Sequence, residues 1–426
     1  MIRAAILILL SLLAAVPAAA QPVTVIAVPP LATPSKGDKA NEDLAIAWQA
    51  TQQIVTDLRG TSELMPLTPK QKDVYSYPEV TAPSFPKWKA AGAKALVTGF
   101  VQTRPDGRLT FGCYVYDVAS GRELGRKGFV VAADDLRRAA HRCSGLAYES
   151  ITGSPGMFDT RIAYVAETGS GANLVRRVAI MDSDGFNHDY ATMGETMVLS
   201  PRLSPRARSV AFVSFSGGSP HIRILDLETQ RTNSLITGDP ISFSPRFSPD
   251  GQKIAFTMVQ GSNADVYVAD AAGGPPVRLT TAPGIDTAPA FSPDGKRIVF
   301  ESDRSGSQQL YVMDAEGSDQ RRISFGTSAY AAPAWSPDGE YIAFVARQTG
   351  SRRIGIVRAD GRDERIVTGG VTDDSPSWAP SSREILFERT DGGRPSLLRI
   401  ALDESQPRTL TIPQHGSDPD WSGVIE

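Results

Sequence analysis

The chain has 426 residues, 41% hydrophobic and 21% charged, which is long enough for two or three domains and excludes a disordered tail or a coiled coil. Lys and Arg (44) do not exceed Asp and Glu (47), and the net charge of −3 argues against nucleic acid or an anionic membrane surface as partner. Two Cys and four His are too few for zinc clusters or a disulfide-rich scaffold, while Gly (38) and Pro (31) favour turns and short strands over long helices.

In chain order, Met1-Ile2-Arg3 carries a positive charge, Ala4 to Val16 is apolar but for Ser11, and Pro17 leads into Ala18-Ala19-Ala20. This predicts a secretory signal peptide over 1–20, cleaved after Ala20 ahead of Gln21. The apolar core of about 13 residues is too short for a bilayer, which takes roughly 20. No Cys follows the cleavage box, so a lipoprotein is not expected, and no later segment reads as a membrane span. The mature chain is expected to be exported and soluble, without membrane insertion.

Residues 21–152 read as a small α/β domain. Val23 to Val28 reads as a strand, and Asn41 to Leu58 as an amphipathic helix with Leu44, Trp48, Val55 and Leu58 near one face. Ala95 to Val101 and Leu109 to Val118 form a hairpin across Pro105-Asp106-Gly107, and Phe129-Val-Val131 adds a third strand. Asp134 is expected to cap a helix running to Ile151, with Leu136, Ala139, Ala140, Cys143 and Leu146 inward. Cys113 lies on the alternating strand and Cys143 on the inward helix face. An oxidising compartment favours a disulfide between them, and two buried free thiols are the alternative. Residues 153–160, with Gly153-Ser-Pro-Gly156, read as a linker.

Residues 161–426 carry a repeat. Pro245-Arg-Phe247-Ser248-Pro249-Asp250-Gly251 with Ile254-Ala255-Phe256 returns from Pro289 and from Pro333, with weaker copies from Pro201, Pro376 and Pro419. A period of 43 or 44 residues marks a solenoid or a propeller. Pro-Asp-Gly is turn chemistry, and β-rich runs flank it, so each unit holds about four short strands, which is a propeller blade. There are six Pro-phrases and six Ile-Ala-Phe-type strands, offset by one, the first being Ile162-Ala163-Tyr164. Pairing that first strand with the phrase at Pro419 closes a six-bladed ring and removes an exposed edge. The expected fold is α+β: a small N-terminal α/β domain followed by a six-bladed β-propeller closed by the C-terminal strand.

Motifs for catalysis are missing. There is no Gly-x-Ser-x-Gly, His-Glu-x-x-His or Walker A sequence. Asp182-x-Asp184-Gly185 has the start of a calcium loop but lacks its sixth-position Gly and twelfth-position Glu, so it reads as a hairpin turn. No metal or cofactor is expected. His141 reads as a half-buried structural residue near the domain junction, and His188 and His221 as loop residues.

The loops ahead of each Pro-phrase differ while the framework repeats, which is how a scaffold carries a binding site. They offer two apolar anchors, Phe243 and Tyr330, and the carboxylates Asp286, Asp373, Asp374 and Asp418, with no His, Lys or Arg partner evident in the same loops. Such a mouth predicts a partner bringing Lys, Arg or a bound cation, and each Asp has the alternative of bracing its own loop.

The junction Ile151-Thr152-Gly153, Gly156-x-Phe158-x-Thr160-Arg161-Ile162-Ala163-Tyr164-Val165, with His141 ten residues earlier and the repeated phrase, resembles the TolB family of the periplasmic Tol-Pal system. The resemblance covers nearly the whole mature chain. It implies a periplasmic monomer that binds Pal at the propeller mouth, where colicin peptides also bind. It implies that the N-terminal domain contacts TolA. Carried over by position, the partner-binding residues are Phe243, Ser244, Asp286, Thr287, Tyr330, Asp373, Asp374 and His415. The family has an extra short strand ahead of the segment like Val25-Ile-Ala-Val-Pro29, and here only Gln21 to Thr24 stands there. The TolA contact is therefore expected to be lost or shortened. The implied role is outer-membrane integrity and envelope constriction at cell division, without catalysis. The alternative is a periplasmic propeller hydrolase or lyase using carboxylates in the channel. A third reading, a propeller scaffold for other partners, lacks the junction motif.

Overall fold

The computed structural model describes residues 23–71, 75–238 and 240–425, so the segment 1–20 expected to be a signal peptide lies outside the described residues. Among the described residues no helix is long and apolar enough to cross a membrane.

The first domain is built on a five-stranded sheet. Strand β1 (Thr24–Ala27) leads into helix α1 (Asp38–Arg59), which returns the chain to β2 (Leu64–Pro66), parallel to β1. Short helices α2 (Tyr77–Thr81) and α3 (Phe85–Ala90) precede β3 (Ala95–Thr103), β4 (Leu109–Asp117) and β5 (Glu123–Val131), and α4 (Leu136–Thr152) ends the domain. The order is β2-β1-β3-β4-β5, with β1 parallel to β3 and the last three strands antiparallel. Alternation along β4 sends Phe111, Cys113 and Val115 to the face covered by α1 and α4, and Tyr116 to the face covered by α2 and α3. The buried stripe of α1 is Ala47, Ala50, Ile54 and Leu58, while Leu44 and Trp48 are half-buried.

Four details depart from the sequence reading. β5 extends back to Glu123, and β2, α2 and α3 had no clear signal because each is six residues or fewer. A single 3₁₀ turn over Ala133–Asp135 precedes α4, whose N-cap is Asp135, so Asp134 does not cap it. His221 opens a strand, His221–Asp226, and is buried, its ring bonded to Ser216 and the Ser219 carbonyl.

Six four-stranded antiparallel sheets follow. Their inner strands are His415–Trp421 (blade 1), Val198–Leu203 (blade 2), Ser242–Phe247 (blade 3), Asp286–Phe291 (blade 4), Ala329–Trp335 (blade 5) and Asp373–Trp378 (blade 6). Blade 1 joins the two ends of the propeller: His415–Trp421 pairs with Arg161–Thr168, with Trp421 opposite Ile162 and Ser417 opposite Val165. Trp421 donates its indole N–H to Thr160 Oγ1 at 2.9 Å, in the segment entering the ring. The recurring Ser-Pro-Asp-Gly is a self-bonded turn. Ser248 Oγ donates to Asp250 Oδ1 at 2.5 Å and accepts the Lys253 N–H at 2.9 Å, while Gly251 takes φ 74°. The Ser292 and Ser336 turns repeat this geometry.

Each blade runs up, down, up and down. The loops entering the inner strands therefore lie at one end of the channel and the Pro-Asp-Gly turns at the other. The N-terminal domain packs on the turn end: Arg383, in the turn of blade 6, reaches Glu63 Oε1 at 2.5 Å and Ser154 Oγ at 3.1 Å.

Candidate functional site

The open mouth is shaped by one backbone device used six times. The residue ahead of each inner-strand proline is left-handed: Ser200, Ser244, Ala288, Ala332, Ser375 and Asp418 have φ between 49° and 54°. At each, three residues of the inner strand span two of its neighbour, so each inner strand carries a β-bulge. Four of these N–H groups are received by a side chain of the preceding blade. Thr257 Oγ1 accepts from Ala288 (3.2 Å), Glu301 Oε1 from Ala332 (2.5 Å), Glu388 Oε2 from Asp418 (3.2 Å) and Asp418 Oδ2 from Ser200 (3.2 Å). Ser375 donates its hydroxyl to Asp418 Oδ1 at 3.0 Å. Polar groups that would be costly unpaired thus stitch blade to blade around a cavity of about 450 Å³.

The cavity is balanced in charge, not simply acidic. Arg202, Arg246, Arg347 and Arg352 line it with Glu301, Asp374, Glu388 and Asp418. Deep in the channel Arg246 Nη1 lies 3.1 Å from Asp420 Oδ1, and the Leu203 N–H donates to Asp420 Oδ2 at 2.8 Å. Burial and the neighbouring Arg202 guanidinium push Arg246 down to about 9, still charged at neutral pH. Burial raises Glu301 and Glu388, and the Asp418 carboxylate adds to the effect on Glu388.

The structure separates the eight sequence-derived site residues. Phe243, Ser244, Thr287 and Asp374 line the cavity, and Arg352 holds Asp374 at 2.8 Å. His415 is exposed where the blade 1 inner strand begins, opposite Glu167. Asp286 and Asp373 are fully buried braces: Arg304 holds Asp286 at 2.7 Å, and Arg389 grips Asp373 through both oxygens at 2.6 and 2.9 Å. The loops therefore do have basic partners. They come from the segment following the second strand in blade 4 and from the second strand itself in blade 6. Tyr330 is a core residue, 1% exposed, packed 4.9 Å from the Phe344 ring and donating its hydroxyl to Glu364 Oε1 at 2.5 Å. Its register opposite Ala346 points it between blades, which a loop reading does not reveal.

Two features escaped the sequence reading. One is the polar residue after the aromatic of the second strand: Thr257, Glu301 and Glu388 stand where Val165, Val213 and Val345 occur in the other blades, and each receives a bulge N–H. Aligning the repeats on that aromatic exposes the signal. The other is an apolar crown. Met193, Met197, Ile241, Ile285, Phe325 and Val371 all stand exposed in loops entering the inner strands, Met193 and Phe325 more than 70% so. Among the described residues lining the cavity there is no His, Cys or Lys. Its carboxylates are engaged by backbone N–H groups, hydroxyls or arginines. The arrangement suits docking of a protein segment onto the ring.

Residues 148–425 match the family described as TolB beta propeller domain, and residues 16–124 match the TolB amino-terminal domain. This chain belongs to the TolB family. Tol-Pal system protein TolB of Zymomonas mobilis is 45% identical over 203 residues, 47% of this chain and 44% of that protein. Its counterpart in Rhizorhabdus wittichii is 43% identical over 198 residues, 46% of this chain and 45% of that protein. The chain thus matches under half the length of these curated relatives. The crystal structure of TolB from Acinetobacter baumannii superposes with a TM-score of 0.78 at 28% identity, covering 94% of this chain and 97% of that one.

In this TolB family member the domains are joined by a charge cluster around the buried His141 and Asp57. His141 on α4 places Nδ1 2.8 Å from Asp57 Oδ2 on α1, and Nε2 3.0 Å from Asp184 Oδ2 in a turn of blade 1. Ser144 donates to Asp57 at 2.7 Å, and Arg137 reaches Asp184 while its guanidinium stacks 3.5 Å from the Phe186 ring. Burial alone would lower the His141 pKa, but the bonds to Asp184 and Asp57 outweigh it and raise it to about 10. These three residues offer ligand-type atoms within 4.8 Å. Each ring nitrogen faces a different carboxylate, so the geometry is that of a histidinium between two anions. Cys113 and Cys143 form a disulfide with Cα atoms 5.7 Å apart, tying β4 to α4.

Proposed function

We propose that this chain is the periplasmic, non-enzymatic protein-binding component of a Tol-Pal system. It takes Pal onto the propeller mouth and supports outer-membrane integrity and envelope constriction at division. The observation that carries the reading is the rim itself: exposed apolar side chains from successive entry loops surround a charge-balanced cavity. The family assignment and the relatives named for the Tol-Pal system support the same reading. The residues proposed to meet Pal are Phe243, Ser244, Thr287, Asp374 and His415, with Ile241, Ile285 and Phe325 added from the crown. Asp286, Asp373 and Tyr330 support them from beneath. A contact of the N-terminal domain with TolA belongs to the same proposal.

The test is complementation. A strain lacking this chain is expected to leak periplasmic enzymes and to be detergent-sensitive. The wild-type chain restores the barrier, and Ile285→Asp or Phe243→Ala, accumulating to the same level, does not. Full restoration by both variants would overturn the assignment of the mouth.

A further inference from the structure

A second interaction surface lies on the first domain, independent of the mouth. β5 is the last strand of its sheet, Glu123–Val131, and beyond a bulge at its start it pairs regularly over the seven residues Gly125–Val131. Among the described residues no backbone group pairs with its outer edge. Open edges of this length are usually blunted, because unpaired N–H and C=O groups template another strand.

The surroundings of this edge are unusual. Cavities lie on both faces of the sheet and meet at Lys127, Gly128 and Phe129. One, of about 420 Å³, is walled by Phe100, Tyr114, Arg126 and Val130 on the face opposite α4. It exists because Gly112 pairs with Gly128, leaving two adjacent positions of that face without side chains. The Phe100 ring occupies the space above Gly112, where a Cβ would come within 2.2 Å of it. Above Gly128 the space is open, since a Cβ there would meet nothing nearer than 3.9 Å. The other cavity, of about 580 Å³, lies on the α4 face between Phe129, Leu146, Phe158 and Ile425. A strand added to β5 would send alternate side chains into these two cavities.

The charge on the edge selects the occupant. On the strand and its entry turn Arg122, Arg126 and Lys127 stand against Glu123 alone, with the Arg126 side chain 71% exposed. Of the acids lining the α4-side cavity, Asp159 is held by Arg138 and Arg142, and Glu149 is the other. Lys127 is the middle residue of the strand, so an antiparallel pair with a second copy would set Lys127 against Lys127 and bring both Arg126 side chains close, an unfavourable pairing. We propose that the β5 edge accepts an extended acidic segment of a partner protein by strand addition, with a large apolar side chain filling the notch above Gly128.

The test uses the mature chain and a fluorescein-labelled peptide, Asp-Val-Val-Phe-Glu-Glu-Thr-Val-Thr, which in antiparallel pairing sets Phe against Gly128 and one Glu each against Lys127 and Arg126, on opposite faces, followed by polarisation and amide hydrogen exchange. Saturable binding should slow exchange within 123–131. The exposed double substitution Arg126→Glu/Lys127→Glu should weaken it at least about tenfold. Gly128→Val, whose Cβ would meet nothing nearer than 3.9 Å, places a side chain in the notch and should weaken it independently of salt. The same peptide with Lys for every acidic residue should not bind. The proposal is overturned by no saturable binding, by unchanged exchange in β5, by equal binding of the lysine peptide, or by full affinity in both variants. It is equally overturned if sedimentation shows the free chain dimerising and Arg126→Glu/Lys127→Glu abolishes the dimer. None of these outcomes bears on Pal binding at the mouth.

Discussion

His141 is the residue on which the two domains meet most tightly. It is 3% exposed and touches carboxylates from α1 and from blade 1. Removing the ring leaves the buried Asp57 carboxylate with only the neutral Ser144 hydroxyl and Gln53 amide as partners, so His141→Gln is expected to cost about 2–4 kcal/mol at pH 6. The folded pKa, about 10, lies above the ordinary 6.5. The contribution is therefore complete below about pH 6.5 and is lost as pH rises towards 10. Urea unfolding of both proteins from pH 6 to 10 should show their stability difference shrinking across that window. A constant difference would mean that His141 is not protonated in the folded state. The sequence placed His141 at the junction but not its partners, which come from segments 84 and 43 residues away. Asp373 makes the same point at the mouth. It reads as a binding carboxylate, and only the fold shows Arg389 beside it. Asp373→Asn is expected to destabilise blade 6 by about 2–4 kcal/mol in chemical denaturation, through the unpaired guanidinium it leaves.

At the level of elements, the C-terminal strand and the disulfide do the structural closing. Trp421 fills the seam between the last strand and the first, and its N–H is bonded to Thr160. Trp421→Ala should cost about 3–5 kcal/mol and appear as loss of propeller stability, with the first domain's unfolding little changed. Cys113 and Cys143 are 30 residues apart, and removing a link over that span costs about 3–4 kcal/mol in the chain-entropy account. Cys113→Ala/Cys143→Ala should lower the stability of the first domain by that order in calorimetric unfolding while leaving the mouth intact. The blades were legible because strand, turn and period repeat six times, and the ring closure followed from the offset between the two repeated phrases. The elements α2, α3 and β2 were not legible, because each is too short to show a period and is held by tertiary contacts such as Phe85 against Tyr116.

Across the whole molecule, the two ends of the propeller do different work. The turn end carries the first domain through His141, Arg383 and Glu63, and the entry-loop end is left free with its apolar crown. Which loops form the mouth could be read from the sequence, because the variable segments precede a constant phrase. Which side chains face the channel could not. That depends on the left-handed bulge, a backbone feature with no residue signature: Ser, Ala and Asp all occupy it. The bulge turns Ser244 and Thr287 to the axis and leaves Tyr330 between blades, so Tyr330→Ala would report stability where Phe243→Ala reports binding. The central claim is that the mouth is a protein-docking surface, and calorimetric titration of the mature chain with the soluble domain of Pal from the same cell tests it most directly. One-to-one binding, weakened at least about tenfold by Phe243→Ala and by Ile285→Asp, is the predicted result. No binding by the folded wild-type chain, or unchanged binding by both variants, would contradict it.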